Sequence, residues 1–313
     1  MIPDYSHIFI GHSNTAGYRK SGSSGGVGTE LLGYLLSEGK VDVVIGVGYD
    51  ERDVTQPVYK PVFHTQHICQ LSGSKYVYME LVPLLEMIKT FDGRRIAVVV
   101  QPCFARVVRQ KYPNIDYLIS FFCGYNIVYD GTTYLIGKSG VQHQDIRSME
   151  YRAGEYPGGF TITKKNGEVV HFGKEYYELV DLVFLKEGCS KCTLFISDTA
   201  DVVLGDAWIQ NAKNETAVLT NTPKGDDILK ELNQKDLVTL YDIEKEELNK
   251  MHHHNIHYKS FGHSWIMSSI VKIFNNRFAA KYAPFHLLGF LSKLRRKMMI
   301  GIDKELVRTE KYN

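Results

Sequence analysis

Three short runs rich in β-branched residues, VDVVIGV (41–47), RIAVVV (95–100) and IDYLISFF (115–122), alternate with segments of helical periodicity. Strands that read as continuous apolar runs are buried on both faces, and linking them through helices favours a sheet with parallel neighbours. Leu31, Leu32, Leu35 and Leu36 recur on one helical face before the first run, with Gly39 at the expected C-terminal end. MELVPLLEMIKTF precedes the second run through an Asp92-Gly93 turn, and FARVVRQKYPN separates the second from the third. The expected fold is α/β: a mixed, largely parallel sheet with helices on both faces, plus a basic helical C-terminal extension.

The second and third runs end at Gln101-Pro102-Cys103 and at Cys123. If these strands are parallel neighbours, their ends lie about 5 Å apart and face the crevice where open α/β sheets bind ligands. A Gly/Ser loop, SGSSGGVG (21–28), opens the first helix. Backbone N–H groups and the positive end of the helix dipole suit that place to a phosphate, although such a loop also serves as an ordinary turn. Further on, KSGVQHQDIRSMEYRAGEYPGGFTITKKNGEVVHF alternates β-type residues with Gly/Asn turns and suggests a hairpin carrying Arg147 and Arg152. The strands ADVVL and AVLTN follow, then a helix from about Asp226.

Five cysteines are present, and in a reducing compartment grouped cysteines serve more often as metal ligands or catalysts than as structural staples. Cys189 and Cys192 form a C-x-x-C pair for which three chemistries stand open. Disulfide exchange favours a pair at a helix start, whereas TLFISDTADVVL carries no helical start here. Structural zinc usually takes two close pairs, and only one is present. An iron-sulfur cluster needs thiolates brought together by the fold, and Cys103 and Cys123 at strand ends offer a workable wall. Cys69, in HTQHICQLSGSKY, reads as a small buried side chain.

The formal net charge of +2 conceals an asymmetry: residues 251–313 hold 11 Lys/Arg against 3 Asp/Glu, and the rest holds 26 against 32. MHHHNIHYKSFGH gathers His252, His253, His254, His257 and His263, which read as a solvated loop or surface patch. In FHLLGFLSKLRRKMMIGI, Leu287, Leu291, Leu294 and Met298 share a helical face that could cover the body, a partner or an anionic membrane surface. The basic tail lacks a recognised nucleic-acid module, so nucleic acid is not an expected partner. No run of about 18 apolar residues is present, and the start MIPDYSHIFIGHS lacks a basic leader; the expectation is a cytoplasmic protein.

Taken together, SGSSGGVGTELLGYLL, LSGSKYVY, VVVQPCFA, ISFFCGYN, EYRAGEYPGG, CSKC with TADVVLGDAW, and TNTPKGDDIL occur in the order found in one family. Over roughly residues 8–240 the chain resembles the coenzyme F420-reducing hydrogenase / formate dehydrogenase beta-subunit family, which also contains the 7-hydroxymethyl chlorophyll a reductases. The resemblance implies a flavoprotein oxidoreductase with FAD and one 4Fe-4S cluster, ligated by Cys103, Cys123, Cys189 and Cys192. It implies flavin contacts from Ser23, Ser24, Gly25 and Gly26, with Thr29 behind them, and from a second loop, Gly73, Ser74, Lys75 and Tyr76. Lys75, Arg147 and Arg152 are the candidate catalytic cations that stabilise anionic flavin or substrate.

On this resemblance, residues 1–92 form a flavin-contacting region, 93–250 an iron-sulfur and flavin region, and 251–313 the basic tail. A redox partner protein is expected (a ferredoxin, or a hydrogenase or dehydrogenase subunit), with F420 or another small organic molecule as hydride acceptor or donor. The alternative is an electron-relay or docking subunit with no substrate of its own. One departure stands out: the family's usual Gly-Thr-Pro-Cys is here Val100-Gln101-Pro102-Cys103, a less permissive backbone.

Overall fold

The computed structural model describes residues 5–155, 158–173, 184–208 and 214–261. Its main sheet has eight strands: β1 (His7–Ser13), β2 (Val43–Tyr49), β3 (Pro57–Val62), β4 (Ile96–Val100), β5 (Tyr117–Phe121), β9 (Val202–Asp206), β10 (Thr216–Thr220) and β11 (Val238–Asp242). The strand order is β11-β1-β10-β9-β5-β4-β2-β3. The centre, β9-β5-β4-β2, is parallel, and the flanking pairs are antiparallel. The sheet is therefore mixed, and its strands come from both sides of residue 92.

Alternation along each central strand divides the core in two. Val43, Ile45, Ile96, Val98, Leu118 and Val203 point to one face, where they meet Leu84 and Ile88 of α3 (Leu81–Thr90), Phe104 and Val108 of α4 (Pro102–Lys111), and Leu248 of α7 (Lys245–Phe261). Val44, Ala97, Ile119, Val202 and Val218 point to the other, against α2 (Val27–Ser37) and α6 (Pro223–Gln234). Within α2, Leu31 and Leu35 are fully buried, each burial contributing about 1.5–3 kcal/mol. A short helix, α1 (Ala16–Ser21), precedes the Gly/Ser loop.

Local chemistry sets the helix starts. Pro102 occupies the first turn of α4, where a missing N–H costs nothing. Thr222 caps α6, its side-chain oxygen accepting from the Gly225 N–H at 3.1 Å. Gly26 precedes α2 with φ +81, a left-handed conformation that glycine adopts without strain.

Residues 146–172 form a second sheet, a three-stranded antiparallel meander rather than a lone hairpin: β6 (Ile146–Ala153), β7 (Gly159–Lys164) and β8 (Val169–Phe172). It packs with α5 (Tyr129–Ser139), a helix that sequence reasoning passed over, around Leu135, Tyr151, Phe160 and Ile162. With mixed residues such as YDGTT in its first turns, α5 gives a weak periodic signal and is held by this third core.

The histidine-rich stretch is corrected in part: His253 and His254 are exposed, as a surface patch requires, but the segment is not a loop. Through Phe261 it is helix α7, and His252 is buried at 2% exposure. Cys69 is corrected too: it lies exposed in a 3-10 turn, Thr65–Leu71, while its neighbour Ile68 takes the buried position. The proposed amphipathic face of Leu287, Leu291, Leu294 and Met298 lies outside the described residues, as do His263 and the rest of the basic tail. Among the described residues no helix is long and apolar enough to cross a membrane.

Candidate functional site

A cavity of about 290 Å³ opens at the carboxyl ends of the four parallel strands. Val47, Val100, Phe121 and Leu204, near the ends of β2, β4, β5 and β9, form its floor. This is the crevice in which α/β sheets place ligands.

Two loops make its wall. Ser23, Ser24, Gly26 and Thr29 line it from the start of α2, and Gly73, Ser74, Lys75 and Tyr76 line it from the second loop. The loops are tied together. The Ser74 backbone N–H donates to Ser23 Oγ at 2.7 Å, and Thr29 Oγ1 lies 2.9 Å from Ser72 Oγ. Ser24 Oγ is 3.1 Å from Thr216 Oγ1 on β10. No side chain caps α2, so its start presents backbone and glycine to the cavity. Gly25 is not in the lining; a Cβ there would meet the Gly11 carbonyl at 2.4 Å, so this glycine serves close packing on β1.

The basic residues separate. Lys75 folds its Nζ back to donate to the Leu71 and Ser72 carbonyls at 3.1 and 2.6 Å, with the Tyr49 ring 5.5 Å away. Burial pushes its ammonium down to about 7. Arg152 lines the cavity, pairs with Asp206 at 2.6 Å, and lies 5.8 Å from the Trp208 ring. Burial opposes its charge, but Tyr76 and Asp206 outweigh that and raise its pKa. Burial raises Tyr76 in turn, against the pull of Arg152. Arg147 lies exposed on β6, outside the lining.

Of the four candidate ligand cysteines, Cys123 lines the cavity. Val100 of β4 pairs in register with Ser120 of β5, so Cys103 and Cys123 each lie three residues past a matched position. Cys103 lies in the first turn of α4, whereas Cys123 follows β5 and lines the cavity. The Glu187–Lys191 turn carries Cys189 and leads to Cys192. It is fastened to the β5 end at two points: Lys186 N–H donates to the Asn126 carbonyl at 3.0 Å, and Cys123 N–H to the Phe195 carbonyl at 2.9 Å.

The thiols sense one another. Burial, then the field of Cys192 and Cys189, raises Cys103 to about 11, although it keeps an open face. Burial raises Cys123 to about 12, with the other three thiols adding to it, and burial also raises Cys189. Asn126 Nδ2 donates to Cys123 Sγ at 3.6 Å, and the Asn126 backbone amide favours the Cys189 thiolate. Among the described residues no group of three or more His, Cys, Asp or Glu has the arrangement of a metal site.

Several residues of this region carried no role in the sequence reading. Gln101 and Asn126 line the cavity, and Asp206 holds Arg152. The Asp206 carbonyl accepts from His252 Nε2 at 2.8 Å, and the His252 ring lies 4.9 Å from Phe122 and 5.4 Å from Phe195. Gln101, Asn126 and Asp206 stood within the quoted motifs VVVQPCFA, ISFFCGYN and TADVVLGDAW, and His252 within the histidine run, but with no role assigned.

The fold is thus an α/β sheet with a loop-walled cavity and Cys123 at its strand ends. Residues 8–86 match the N-terminal model, and residues 93–246 the C-terminal model, of the coenzyme F420 hydrogenase/dehydrogenase beta subunit. The chain belongs to this family of oxidoreductase subunits. It is 28% identical over 252 residues to a coenzyme F420-dependent sulfite reductase of Methanocaldococcus jannaschii, covering 73% of this chain and 38% of that protein. It is 24% identical over 251 residues to a coenzyme F420 hydrogenase subunit beta of Methanothermobacter thermautotrophicus, covering 74% of this chain and 82% of that one. A chain of the F420-reducing NiFe hydrogenase complex from Methanosarcina barkeri has the same fold, with TM-score 0.65, 20% identity, and coverage of 83% of this chain and 93% of that one. The chain thus spans well under half of the sulfite reductase and most of the hydrogenase subunit.

Proposed function

We propose that the protein is an iron-sulfur flavoprotein that carries electrons between a 4Fe-4S cluster on Cys103, Cys123, Cys189 and Cys192 and an FAD in the strand-end cavity. The observation that carries the reading is Cys123, which belongs both to the coupled thiols and to the cavity lining. A cluster exchanges single electrons, and a flavin exchanges one or two, including a hydride with F420 or another organic substrate.

The residues fit these groups by their chemistry. Two strand ends and one turn carry four soft thiols within one another's electrostatic influence, and Asn126 Nδ2 donates to Cys123 Sγ, as sulfur ligands of clusters commonly receive. The start of α2 offers backbone N–H groups to a phosphate. Lys75 supplies a proton or a positive charge near neutral pH, and Arg152, held by Asp206, supplies a fixed one. In this reading residues 1–92 provide flavin contacts and 93–250 the thiols. Relatives named as a hydrogenase subunit and a sulfite reductase support a redox partner, such as a ferredoxin or a hydrogenase or dehydrogenase subunit.

Anaerobic purification followed by the visible spectrum and assays of iron, acid-labile sulfide, flavin and zinc tests the reading. Iron, sulfide and flavin in the same preparation are expected. Bound zinc with neither iron nor flavin overturns it.

A further inference from the structure

Gln101 joins the last residue of β4 to the first of α4 and is 7% exposed. A residue before proline is held extended, and Gln101 is, with φ −65 and ψ 148. Its backbone carbonyl accepts from the Phe104 and Ala105 N–H groups at 2.9 and 3.2 Å, and the Val100 carbonyl accepts from Ser120 Oγ at 3.0 Å. The main chain that carries this side chain is therefore fixed on both sides.

The carboxamide does not cap α4. Its Oε1 accepts from Cys103 Sγ at 3.9 Å, and among the described residues its Nε2 makes no hydrogen bond. Gln101 lines the cavity and Cys103 does not, so the carboxamide stands between the thiol and the cavity. A buried amide end without a partner is destabilising, and a ligand that supplies the partner removes that penalty. A carboxamide donates at one end and accepts at the other, so whichever end the sulfur takes, the other polarity is left to the cavity. This is also where the chain departs from the family's usual Gly-Thr-Pro-Cys. A threonine hydroxyl stands two bonds closer to the main chain than the glutamine amide nitrogen.

We propose that Gln101 is a specificity-determining contact of the strand-end cavity, its carboxamide hydrogen-bonding the edge of a ring that carries donors and acceptors together, as the isoalloxazine of a flavin does. The inference rests on the flavin reading above and adds a contact that the two wall loops do not supply. Such an edge answers either end of the amide, whereas a phosphate offers acceptors alone.

The test compares the full wild-type chain with Gln101→Leu, which fills similar space without an amide. Both are purified anaerobically and assayed for iron and for cooperative thermal unfolding. Release of bound FAD on dilution, followed by flavin fluorescence, gives the dissociation constant, and the visible spectrum reports the surroundings of the bound ring. Gln101→Leu is expected to hold FAD about tenfold more weakly, the size of one hydrogen bond, with its bound-flavin bands shifted. A wild-type dissociation constant overturns the inference, and so does weaker binding with unshifted bands, which places the contact away from the ring. If Gln101→Leu loses its iron or its cooperative unfolding, Gln101→Met is measured in its place with the same outcomes. A wild-type chain that neither holds flavin nor takes up added FAD overturns the flavin reading itself, and this is decided before any variant is made.

Discussion

The Cys123 backbone N–H donates to the Phe195 carbonyl at 2.9 Å, and this bond joins the end of β5 to the segment that carries Cys189 and Cys192. Two pieces of chain far apart in sequence are thereby held at one corner of the cavity. The thiols they bring together respond to one another's charge.

Substitution at the pair should therefore differ from substitution elsewhere. Cys192→Ala is expected to lose most of its iron and sulfide, while Cys69→Ala, altering an exposed thiol in a separate turn, should retain both. Iron and acid-labile sulfide per chain, measured side by side, check this. Equal loss in the two variants would remove Cys192 from the ligand set.

Gly26 should tolerate no side chain. A Cβ there would meet the Tyr18 carbonyl at 2.6 Å and the Arg19 backbone at 2.8 Å, and φ is +81. Gly26→Ala is expected to lower stability by about 1–3 kcal/mol and to weaken flavin retention. Thermal unfolding and bound flavin after gel filtration measure the two effects.

Stability should depend on pH through Lys75. Its folded value is about 7 against an ordinary 10.5. Below about pH 7 both folded and unfolded chains carry the proton, and the fold bears the full cost of the buried charge. Between about 7 and 10.5 the unfolded chain holds a proton that the folded chain has released, so stability rises with pH, by at most about 1.4 kcal/mol per pH unit for one proton. Lys75→Met should flatten this rise, as read from denaturant unfolding at pH 6, 8 and 9.5.

His252 should act in a lower window. Burial holds its pKa below the ordinary 6.5, so below that value the unfolded chain binds a proton that the folded chain resists. Stability is then lost as pH falls from 6.5 toward the folded value, and His252→Phe should lose less. His252→Ala leaves a void against Phe122 and Phe195 and should cost about 2–4 kcal/mol. Urea unfolding of the three proteins at pH 5 and pH 7.5 separates the two effects.

Much of the fold was legible because its signals are local. The runs VDVVIGV and RIAVVV are too apolar for a one-sided strand, and α2 through α4 carry their own periodicity, so the strand-helix alternation followed from short windows. The two loops of the cavity wall were legible as motifs, and Ser23, Ser24, Gly26, Thr29 and Gly73 through Tyr76 do line it. Arg147 and Arg152 looked alike in sequence, yet the pleat of β6 and its contact with Asp206 separate an exposed arginine from a buried one. The histidine run misled because helix α7 has weak amphipathicity; burial of His252 comes from Phe122, Phe195 and Asp206, all distant in the chain.

The sequence by itself determined where the central strands begin and end, and so placed Cys103 and Cys123 at strand ends. Local periodicity and turn chemistry act over a few residues, and the residues concerned are contiguous. Only the tertiary structure decided that the segment carrying Cys189 and Cys192 is fastened to the end of β5 and that Cys123 lines the cavity. Those placements rest on long-range register and hydrogen bonds, such as Val100 with Ser120 and Cys123 with Phe195, whose partners no local pattern names.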